Sequence, residues 1–315
     1  MSEPALQTID LAKTFPPAVV AVSGLDLTVP KGAVYGLIGR NGAGKSTCLR
    51  LLMGLLKPDR GQALVCGREL KDAPRAFRQR VAYVSQEQQL PWWMTTLELM
   101  HYSSQLYDSW DQTLAEGLLR RFDLAIGRPL ATLSGGDQRR VAVALALAAN
   151  PDLVILDEPA AGLDPVSRRQ LIEAMIEFLG DGGERTILFS THILADLERV
   201  ADHVGFMDRG RMMLAGPLDE MQSGLRRVQL IFPGDRVPEG FQLPGQLRRH
   251  VEGPVLTAVV RLLDTDQMAR LRALEGVRVS EQPLGLEDLF IELMERGAKR
   301  PDTELQPDPW WQQSA

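Results

Sequence analysis

With 315 residues, of which 44% are hydrophobic and 24% are charged, the chain is long enough for one large domain and a smaller one. A net charge of −6 argues against nucleic acid as the main partner, and two cysteines, Cys48 and Cys66, are too few for a disulfide framework and indicate a reducing compartment. The first ten residues lack the pattern of a secretion signal, and no stretch has 18 uninterrupted apolar residues, so we expect that the chain does not span a membrane by itself.

The first marked element is a glycine-rich stretch between a predicted strand and a predicted helix. GRNGAGKST, residues 39–47, matches G-x-x-x-x-G-K-[ST] from Gly39 to Ser46. AVYGLIG before it is short and apolar enough for a buried strand, and STCLRLLMGLLKP after it has leucines at helical spacing until Pro58. A plain glycine-rich turn is the alternative, but strand, loop and helix together indicate a phosphate-binding loop.

Such a loop binds a nucleoside triphosphate largely through its backbone. The glycines allow consecutive N–H groups to face phosphate oxygens, and the N-terminus of the following helix adds a favourable dipole. Lys45 is predicted to neutralise the β and γ phosphates, and the hydroxyl of Ser46 to ligate Mg²⁺. The predicted nucleotide-binding residues of the loop are Gly39, Arg40, Asn41, Gly42, Ala43, Gly44, Lys45, Ser46 and Thr47.

Three later apolar runs have the length of buried strands and end in polar residues. RVAYVSQ ends at Gln86, LVILDEP contains Asp157 and Glu158, and RTILFSTH ends at His192. Taken singly, each has an ordinary structural interpretation: a surface glutamine, an acidic helix start or a structural histidine. Because ligands bind beyond the carboxyl ends of parallel strands, we expect these side chains and Lys45 to meet at one edge of a sheet.

A further motif, LSGGD at Leu133–Asp137, lies between Gln86 and Asp157 and precedes the helical stretch QRRVAVALALAANP. With this motif the chain resembles the nucleotide-binding subunit of an ATP-binding cassette (ABC) ATPase over roughly residues 5–222, because the motifs occur in the family's order. The resemblance implies an α/β P-loop ABC cassette at 1–222, with a mostly parallel sheet core, an antiparallel β subdomain and a helical subdomain at approximately 87–150.

The resemblance implies a role for individual positions of this sequence. Phe15 matches the aromatic residue that stacks on adenine, with a core phenylalanine as the alternative. Gln86 would sense Mg²⁺ and the attacking water, and Asp157 would hold Mg²⁺. Glu158 would be the general base, and His192 would contact the γ-phosphate. The implied metal ligands are Ser46, Gln86 and Asp157.

The LSGGD motif also implies a second cassette, from an identical or a sister chain. In the family, Ser134, Gly135 and Gly136 contact the nucleotide held by the opposite subunit, so that two ATP molecules lie between two cassettes. Asp164, in AGLDP, would belong to the loop that crosses to the second cassette. Asp137 stands where the family usually has glutamine, which places a negative charge near a bound nucleotide.

The stretch LPWWMTTLELMHY corresponds to the region of the family that receives a coupling helix of the membrane partner. Trp92, Trp93 and Met94 would form an apolar patch for that helix, or would fill the core of the helical subdomain.

Residues 223–298 are predicted to form a small accessory α+β domain. SGLRRVQLIF, LTAVVRLL and VRVS have strand patterns, and DTDQMARLRALEG and LEDLFIELMERG have helical patterns. GLEDLFIEL resembles the closing motif of bacterial export-type ABC ATPases that pair with separate membrane subunits. We expect dimer contacts from this domain, with covering of the cassette as the alternative. Residues 299–315, including Trp310-Trp311, are expected to be disordered.

The resemblance implies an ATPase that is peripheral on the cytoplasmic side of the bacterial inner membrane and energises an integral membrane transporter subunit, with export as the expected direction. The alternatives are a soluble ABC ATPase that acts on ribosomes or DNA, and one that acts on a membrane complex without transport. Soluble translation factors of the superfamily carry two cassettes, and the DNA-acting types insert a long coiled coil, whereas here only 46 residues separate Gln86 from Leu133. Glu158 and His192 together disfavour a protein that binds nucleotide without turnover.

Overall fold

The computed structural model describes residues 3–69, 73–87, 89–180, 185–261 and 265–294, in two compact units. The first lies within Met1–Ala215 and the second within Gly216–Ala315. The sequence predicts the boundary at residue 222; in the structure, helix Leu218–Gly224 packs against the strand that follows it and belongs to the second unit. Residues 295–315, which include the predicted tail with Trp310-Trp311, lie outside the described residues.

The elements up to the unit boundary are numbered in chain order. The strands are β1 (Leu6–Phe15), β2 (Val19–Val29), β3 (Val34–Ile38), β4 (Arg60–Val65), β5 (Val81–Val84), β6 (Leu153–Asp157), β7 (Thr186–Thr191), β8 (His203–Asp208) and β9 (Arg211–Pro217). The helices are α1 (Lys45–Leu52), α2 (Arg75–Arg78), α3 (Thr96–Ser104), α4 (Gln112–Arg121), α5 (Gly135–Ala148), α6 (Pro165–Leu179) and α7 (Leu194–Leu197).

A six-stranded sheet of order β5-β6-β7-β3-β8-β9 forms the centre of the first unit. β3 is parallel to β7 and β8, and β6 is parallel to β5 and β7. Every residue of β3, β6 and β7 is buried, as expected for apolar strands in the middle of a parallel sheet. The carboxyl ends of β3, β5, β6 and β7 share one edge. There the loop at 39–44 follows β3, Gln86 follows β5, Asp157 ends β6 and His192 follows β7.

A second, antiparallel sheet of order β2-β1-β4 packs over α1. One apolar core joins the two sheets: it contains Leu11 and Val22 from the antiparallel sheet, Leu49 and Leu52 from α1, and Ile155 from β6. α1 is therefore held on both sides, and the loop that precedes it is fixed to the rest of the unit.

α1 is shorter than the sequence predicts. It ends at Leu52, whereas the leucine spacing predicted a helix up to Pro58. Gly54 has a φ of 66°, the left-handed conformation in which helices commonly end. Leu55 beyond it is 62% exposed. The prediction was wrong because the glycine ends the helix before the proline does.

Helices α3, α4 and α5 form a helical layer between β5 and β6 in the chain. Thr95 and Glu98 form a reciprocal capping box at the start of α3, and Asp111 caps α4. α5 packs against α3, α4 and α6, which explains why its second half is apolar on most sides. Among the described helices, none is both long and apolar enough to cross a bilayer.

The second unit is a four-stranded antiparallel sheet with three helices in its described part. Its elements are α8 (Leu218–Gly224), β10 (Leu225–Ile231), β11 (Gln246–Glu252), β12 (Val255–Arg261), α9 (Thr265–Arg272), β13 (Arg278–Pro283) and α10 (Leu286–Met294). The order β11-β12-β10-β13 adds one strand to the three predicted ones. β11 escaped prediction because QLRRHVE is polar, which an edge strand tolerates.

Candidate active site

The loop at residues 39–44 passes very close to neighbouring backbone. A Cβ atom at Gly39 would lie 2.4 Å from the carbonyl oxygen of Met207, and one at Gly44 would lie 2.2 Å from that of Ala21. Gly44 also has a φ of 103°, which strains any other residue. At Gly42, in contrast, no described atom lies within 4 Å of the Cβ position. Packing therefore requires Gly39 and Gly44, whereas Gly42 has open space around its Cβ position and a φ of 81°, which favours glycine by conformation alone.

Lys45, the first residue of α1, turns back over this loop. Its Nζ donates to the carbonyl oxygen of Gly39 at 2.7 Å and forms an ion pair with Oε1 of Glu158 at 3.0 Å. The side chains of Lys45 and Glu158 are each only 5% exposed. Each buried charge is stabilised by the other, and Lys45 also has the carbonyl of Gly39 as a partner.

Asp157 and Ser190 form a buried polar pair on the neighbouring strands β6 and β7. The hydroxyl of Ser190 donates to Oδ1 of Asp157 at 2.7 Å and accepts the backbone N–H of Glu158 at 2.8 Å. Oδ2 of Asp157 has no hydrogen-bond partner among the described residues, although the residue is 1% exposed. A buried carboxylate oxygen without a partner is costly, so the position fits a cation ligand.

Glu158 adopts an unusual backbone conformation that turns the chain away from β6. Its φ is 51°, in the left-handed region. Its Oε2 lies 2.6 Å from Nδ1 of His192, while its Oε1 faces Lys45. The three side chains thus form a chain of contacts, called the Lys45–Glu158–His192 chain below. His192 is 44% exposed and forms its outer end.

Gln86 follows β5 and has an exposed side chain, and its backbone is held by α5. The carbonyl oxygen of Gln86 accepts a hydrogen bond from Nη2 of Arg139 at 3.0 Å, and Nη1 of Arg139 donates to the carbonyl oxygen of Ala161. Sequence reasoning missed Arg139, which has no signal of its own within a polar helix start. It also missed Ser190, although a serine near the end of an apolar run was visible.

Phe15 lies at the end of β1, opposite Val19, and is partly exposed. The ammonium group of Lys13 lies 5.8 Å from the centre of its ring and is held by Asp59 at 2.8 Å. Partial exposure is compatible both with a core phenylalanine and with a ring that stacks on adenine. Stacking of adenine on it is still a prediction.

The LSGGD residues lie at the start of α5. Ser134 is the N-cap of the helix, and its hydroxyl accepts the backbone N–H of Asp137 at 3.1 Å. The carboxylate of Asp137 pairs with the guanidinium of Arg140. Burial raises the pKa of Asp137, but hydrogen bonds from Arg140 and Ser134 and the charge of Arg140 outweigh it, so the pKa is lowered. The carboxylate of Asp137, which stands where the family usually has glutamine, is therefore paired with Arg140 of the same helix.

Asp164 caps α6 in the same way that Ser134 caps α5. Its carboxylate accepts the backbone N–H groups of Val166 at 2.9 Å and Ser167 at 3.1 Å. The side-chain and backbone hydrogen bonds from Ser167 hold the pKa of Asp164 below its usual value. Its side chain thus fixes the start of α6.

The structure brings together some of the predicted site residues and not others. Lys45, Glu158 and His192 are in direct contact, and Asp157 adjoins them in sequence and through Ser190. Among the described residues, no hydrogen bond or ion pair joins Phe15, Gln86 or Ser134 to the Lys45–Glu158–His192 chain. No group of three His, Cys, Asp or Glu residues in the described ranges could hold a metal ion alone. A cation at Asp157 would therefore take its other ligands from hydroxyl, amide, water or phosphate oxygens.

The fold and this site define a class of protein: the chain belongs to the ABC transporter ATP-binding family. The family model described as ABC transporter matches residues 22–161. The chain is 38% identical over 226 residues to the daunorubicin/doxorubicin resistance ATP-binding protein DrrA of Streptomyces peucetius, covering 70% of this chain and 68% of the relative. It is 33% identical to the Nod factor export ATP-binding protein I of Ralstonia nicotianae, covering 94% of this chain and 95% of the relative.

A solved structure described as the ATP binding subunit of an ABC transporter supports the same assignment. It is 32% identical, with a TM-score of 0.62, and the match covers 70% of this chain and 92% of that one. The predicted family and the predicted α/β ABC cassette fold are confirmed. The chain is accordingly an ATPase, and ATP and Mg²⁺ are its cofactors.

Proposed function

We propose that this chain is the energising subunit of an export-type transporter: two cassettes close around two ATP molecules and drive a separate membrane-spanning subunit. The observation that carries the catalytic part is the Lys45–Glu158–His192 chain, which lies at the sheet edge beside the glycine loop. Phosphoryl transfer needs positioning and charge stabilisation more than covalent chemistry from a protein, and these are what the three side chains offer.

In this proposal the ion pair between Lys45 and Glu158 breaks when ATP binds, and each side chain takes a new partner. In this structure Oε1 of Glu158 is occupied by the ammonium group of Lys45 at 3.0 Å. When Lys45 turns to the phosphates of ATP, Oε1 of Glu158 is released to accept a proton from the attacking water. His192 keeps hold of Oε2 and contacts the γ-phosphate with the exposed part of its ring.

Asp157 would hold Mg²⁺ through its partnerless Oδ2, with Ser46 and Gln86 as further ligands. The ion, when bound, neutralises phosphate charge. Ser190 holds the other oxygen of Asp157 and the backbone of Glu158, and so keeps the metal ligand and the base in a fixed relation. Phe15 would stack on adenine, and the amides of residues 39–47 would hold the phosphates.

The test of this division of labour is Glu158→Gln. The amide cannot accept the proton of water but preserves the shape of the side chain, so we expect ATP binding to be retained and kcat to fall by about 10²–10⁴-fold. Binding of a fluorescent ATP analogue and steady-state phosphate release measure the two quantities. Turnover at the rate of the unaltered chain would remove Glu158 from the role of general base.

The LSGGD residues are the proposed contact with the nucleotide of a second cassette. Ser134 and Gly135 are exposed at the N-terminus of α5, and no described atom lies within 4 Å of a Cβ at Gly135. An exposed helix N-terminus favours binding of a phosphate. We propose that a second copy or a sister chain supplies the facing nucleotide, and that the second unit adds dimer contacts.

The membrane partner would dock on the helical layer. Trp92 and Trp93 are 68% and 65% exposed and pack edge to face, while Leu99 and Met100 of α3 are buried. The exposed tryptophans support the docking interpretation, whereas Met94 is partly buried, as the core interpretation expects. The relatives named above for resistance and export support the direction of transport. The chain would then lie on the cytoplasmic face of the bacterial inner membrane.

Docking is tested by changing both tryptophans to serine. Co-purification of the full chain with a multi-span protein from mild detergent should be lost, because about 1.5–3 kcal/mol of apolar contact disappears for each large side chain. Ile176→Ser, at an apolar position of α6 that is 49% exposed, is the matched control and should leave co-purification intact. Recovery of soluble partners alone from the unaltered chain would instead favour an ATPase that acts on ribosomes or DNA.

A further inference from the structure

The side chains of Gln138, Arg139 and Arg140, consecutive in α5, donate hydrogen bonds to different parts of the first unit. Gln138 donates to the carbonyl oxygens of Leu130 at 3.1 Å and Leu133 at 3.3 Å, within the helical layer. Arg140 donates to the carbonyl oxygen of Phe122 at 2.9 Å, again within that layer. Arg139 alone among the three donates to the catalytic edge of the central sheet.

The two acceptors of Arg139 belong to the loops that carry the candidate catalytic groups. One is the backbone carbonyl of Gln86, directly beyond β5. The other is the carbonyl of Ala161, in a turn closed by the hydrogen bond from Ala161 N–H to the carbonyl of Glu158 at 3.1 Å. That turn begins with the left-handed backbone of Glu158. One guanidinium thus joins the loop after β5 to the loop after β6.

We propose that Arg139 is a positioning residue that fixes Gln86 relative to Glu158, so that the metal-sensing amide and the base reach their working positions together. This inference rests on the proposed function. A planar guanidinium suits the task because its two Nη groups reach two carbonyls at once in a fixed geometry, whereas the ammonium of lysine is a point charge on a flexible stem. Arg139 itself contacts no reacting atom.

The same bridge links the LSGGD residues to the chain's own active site. Ser134 caps α5, and Arg139 lies between one and two turns further along the same helix. The position of Gly136 against Leu163, where a Cβ would lie 3.0 Å from Cδ2, adds a second contact between α5 and the loop after Glu158. A shift of α5 caused by nucleotide at Ser134 would therefore move the carbonyls of Gln86 and Ala161 together.

The experiment is a double-mutant cycle on the full chain, with ATP turnover as the readout. Arg139→Ala should lower kcat about tenfold, with KM for ATP changed less than about twofold, because the loop at 39–44 is untouched. In a Gln86→Ala background the same change should lower kcat less than about threefold, because the amide that Arg139 positions is gone. Arg139→Lys should recover part of kcat through one of the two carbonyls.

Arg169→Ala is the matched control, since this arginine is 71% exposed on α6 and pairs only with Glu173 among the described residues. It should leave kcat unchanged. Equal loss of kcat from Arg139→Ala in both backgrounds, an unchanged kcat, or a rise in KM alone would overturn the positioning role. If Arg139→Ala lowers the melting temperature strongly, Arg139→Lys and Arg139→Gln are compared instead, and equal kcat in these two contradicts the bridge. If the unaltered chain does not hydrolyse ATP, the proposed function is contradicted. If Arg139→Ala hydrolyses ATP at the normal rate, only the positioning role of Arg139 is contradicted.

Discussion

At the scale of single residues, the buried hydroxyl of Ser190 holds two residues of the candidate site in place. It is fully buried in β7, donates to Asp157 and accepts the backbone N–H of Glu158. A buried serine side chain in the middle of a sheet is costly unless its hydroxyl is hydrogen-bonded. Here the hydroxyl is bonded to Asp157 at the end of β6 and to Glu158 directly after it, and both residues belong to the candidate site.

Ser190→Ala should therefore be unusually destabilising for the loss of one oxygen atom. It leaves Oδ1 of Asp157 and the N–H of Glu158 buried without that partner, which costs about 1–3 kcal/mol for each group. Urea unfolding of the full chain measures the difference. Ser104→Ala is the control, because the Ser104 hydroxyl donates to the carbonyl of His101 on an exposed face. Equal effects of the two substitutions would contradict the role given to Ser190.

At the scale of elements, the glycine loop keeps its shape because neighbouring backbone excludes side chains. Gly44→Ala would place a Cβ 2.2 Å from the carbonyl oxygen of Ala21, at a φ of 103° that strains any residue other than glycine. We therefore expect the free energy of unfolding to fall by more than about 1 kcal/mol and ATP binding to be lost. Gly117→Ala, within α4 where the Cβ has open space, should instead stabilise by about 0.5–1 kcal/mol. Thermal unfolding and nucleotide titration check both. If the two changes have the same sign, the packing of the loop does not require Gly44.

The elements also show what the sequence could and could not predict. The buried strands and the motif residues at their ends were predictable, because apolar runs and polar ends carry local signals. The end of α1 was missed, since Gly54 outweighed a regular leucine pattern. β11 was missed because its alternation is weak and its pairing with β12 is a tertiary property. Arg139 and Ser190 gain their meaning from distant partners, which no local pattern encodes.

At the scale of the whole molecule, the candidate site residues of the first unit fall into two separate groups. Lys45, Asp157, Glu158 and His192 meet at one sheet edge, whereas Ser134 has no hydrogen bond or ion pair to them among the described residues. Ser134 caps α5 and is exposed. These facts fit a site that is completed by the LSGGD residues of a second chain, with one nucleotide held between two protomers.

The most direct measurement is the sedimentation mass of the Glu158→Gln chain with and without MgATP. Two nucleotides held between two protomers predict a monomer without nucleotide, a mass that doubles with MgATP, and return to the monomer when Ser134→Arg is added in the same chain. Nucleotide affinity of the isolated Ser134→Arg monomer serves as the control and should be unchanged, since Lys45 and its loop are intact. A Glu158→Gln chain that stays monomeric at saturating MgATP, or that dimerises equally well with Ser134→Arg, would contradict the account.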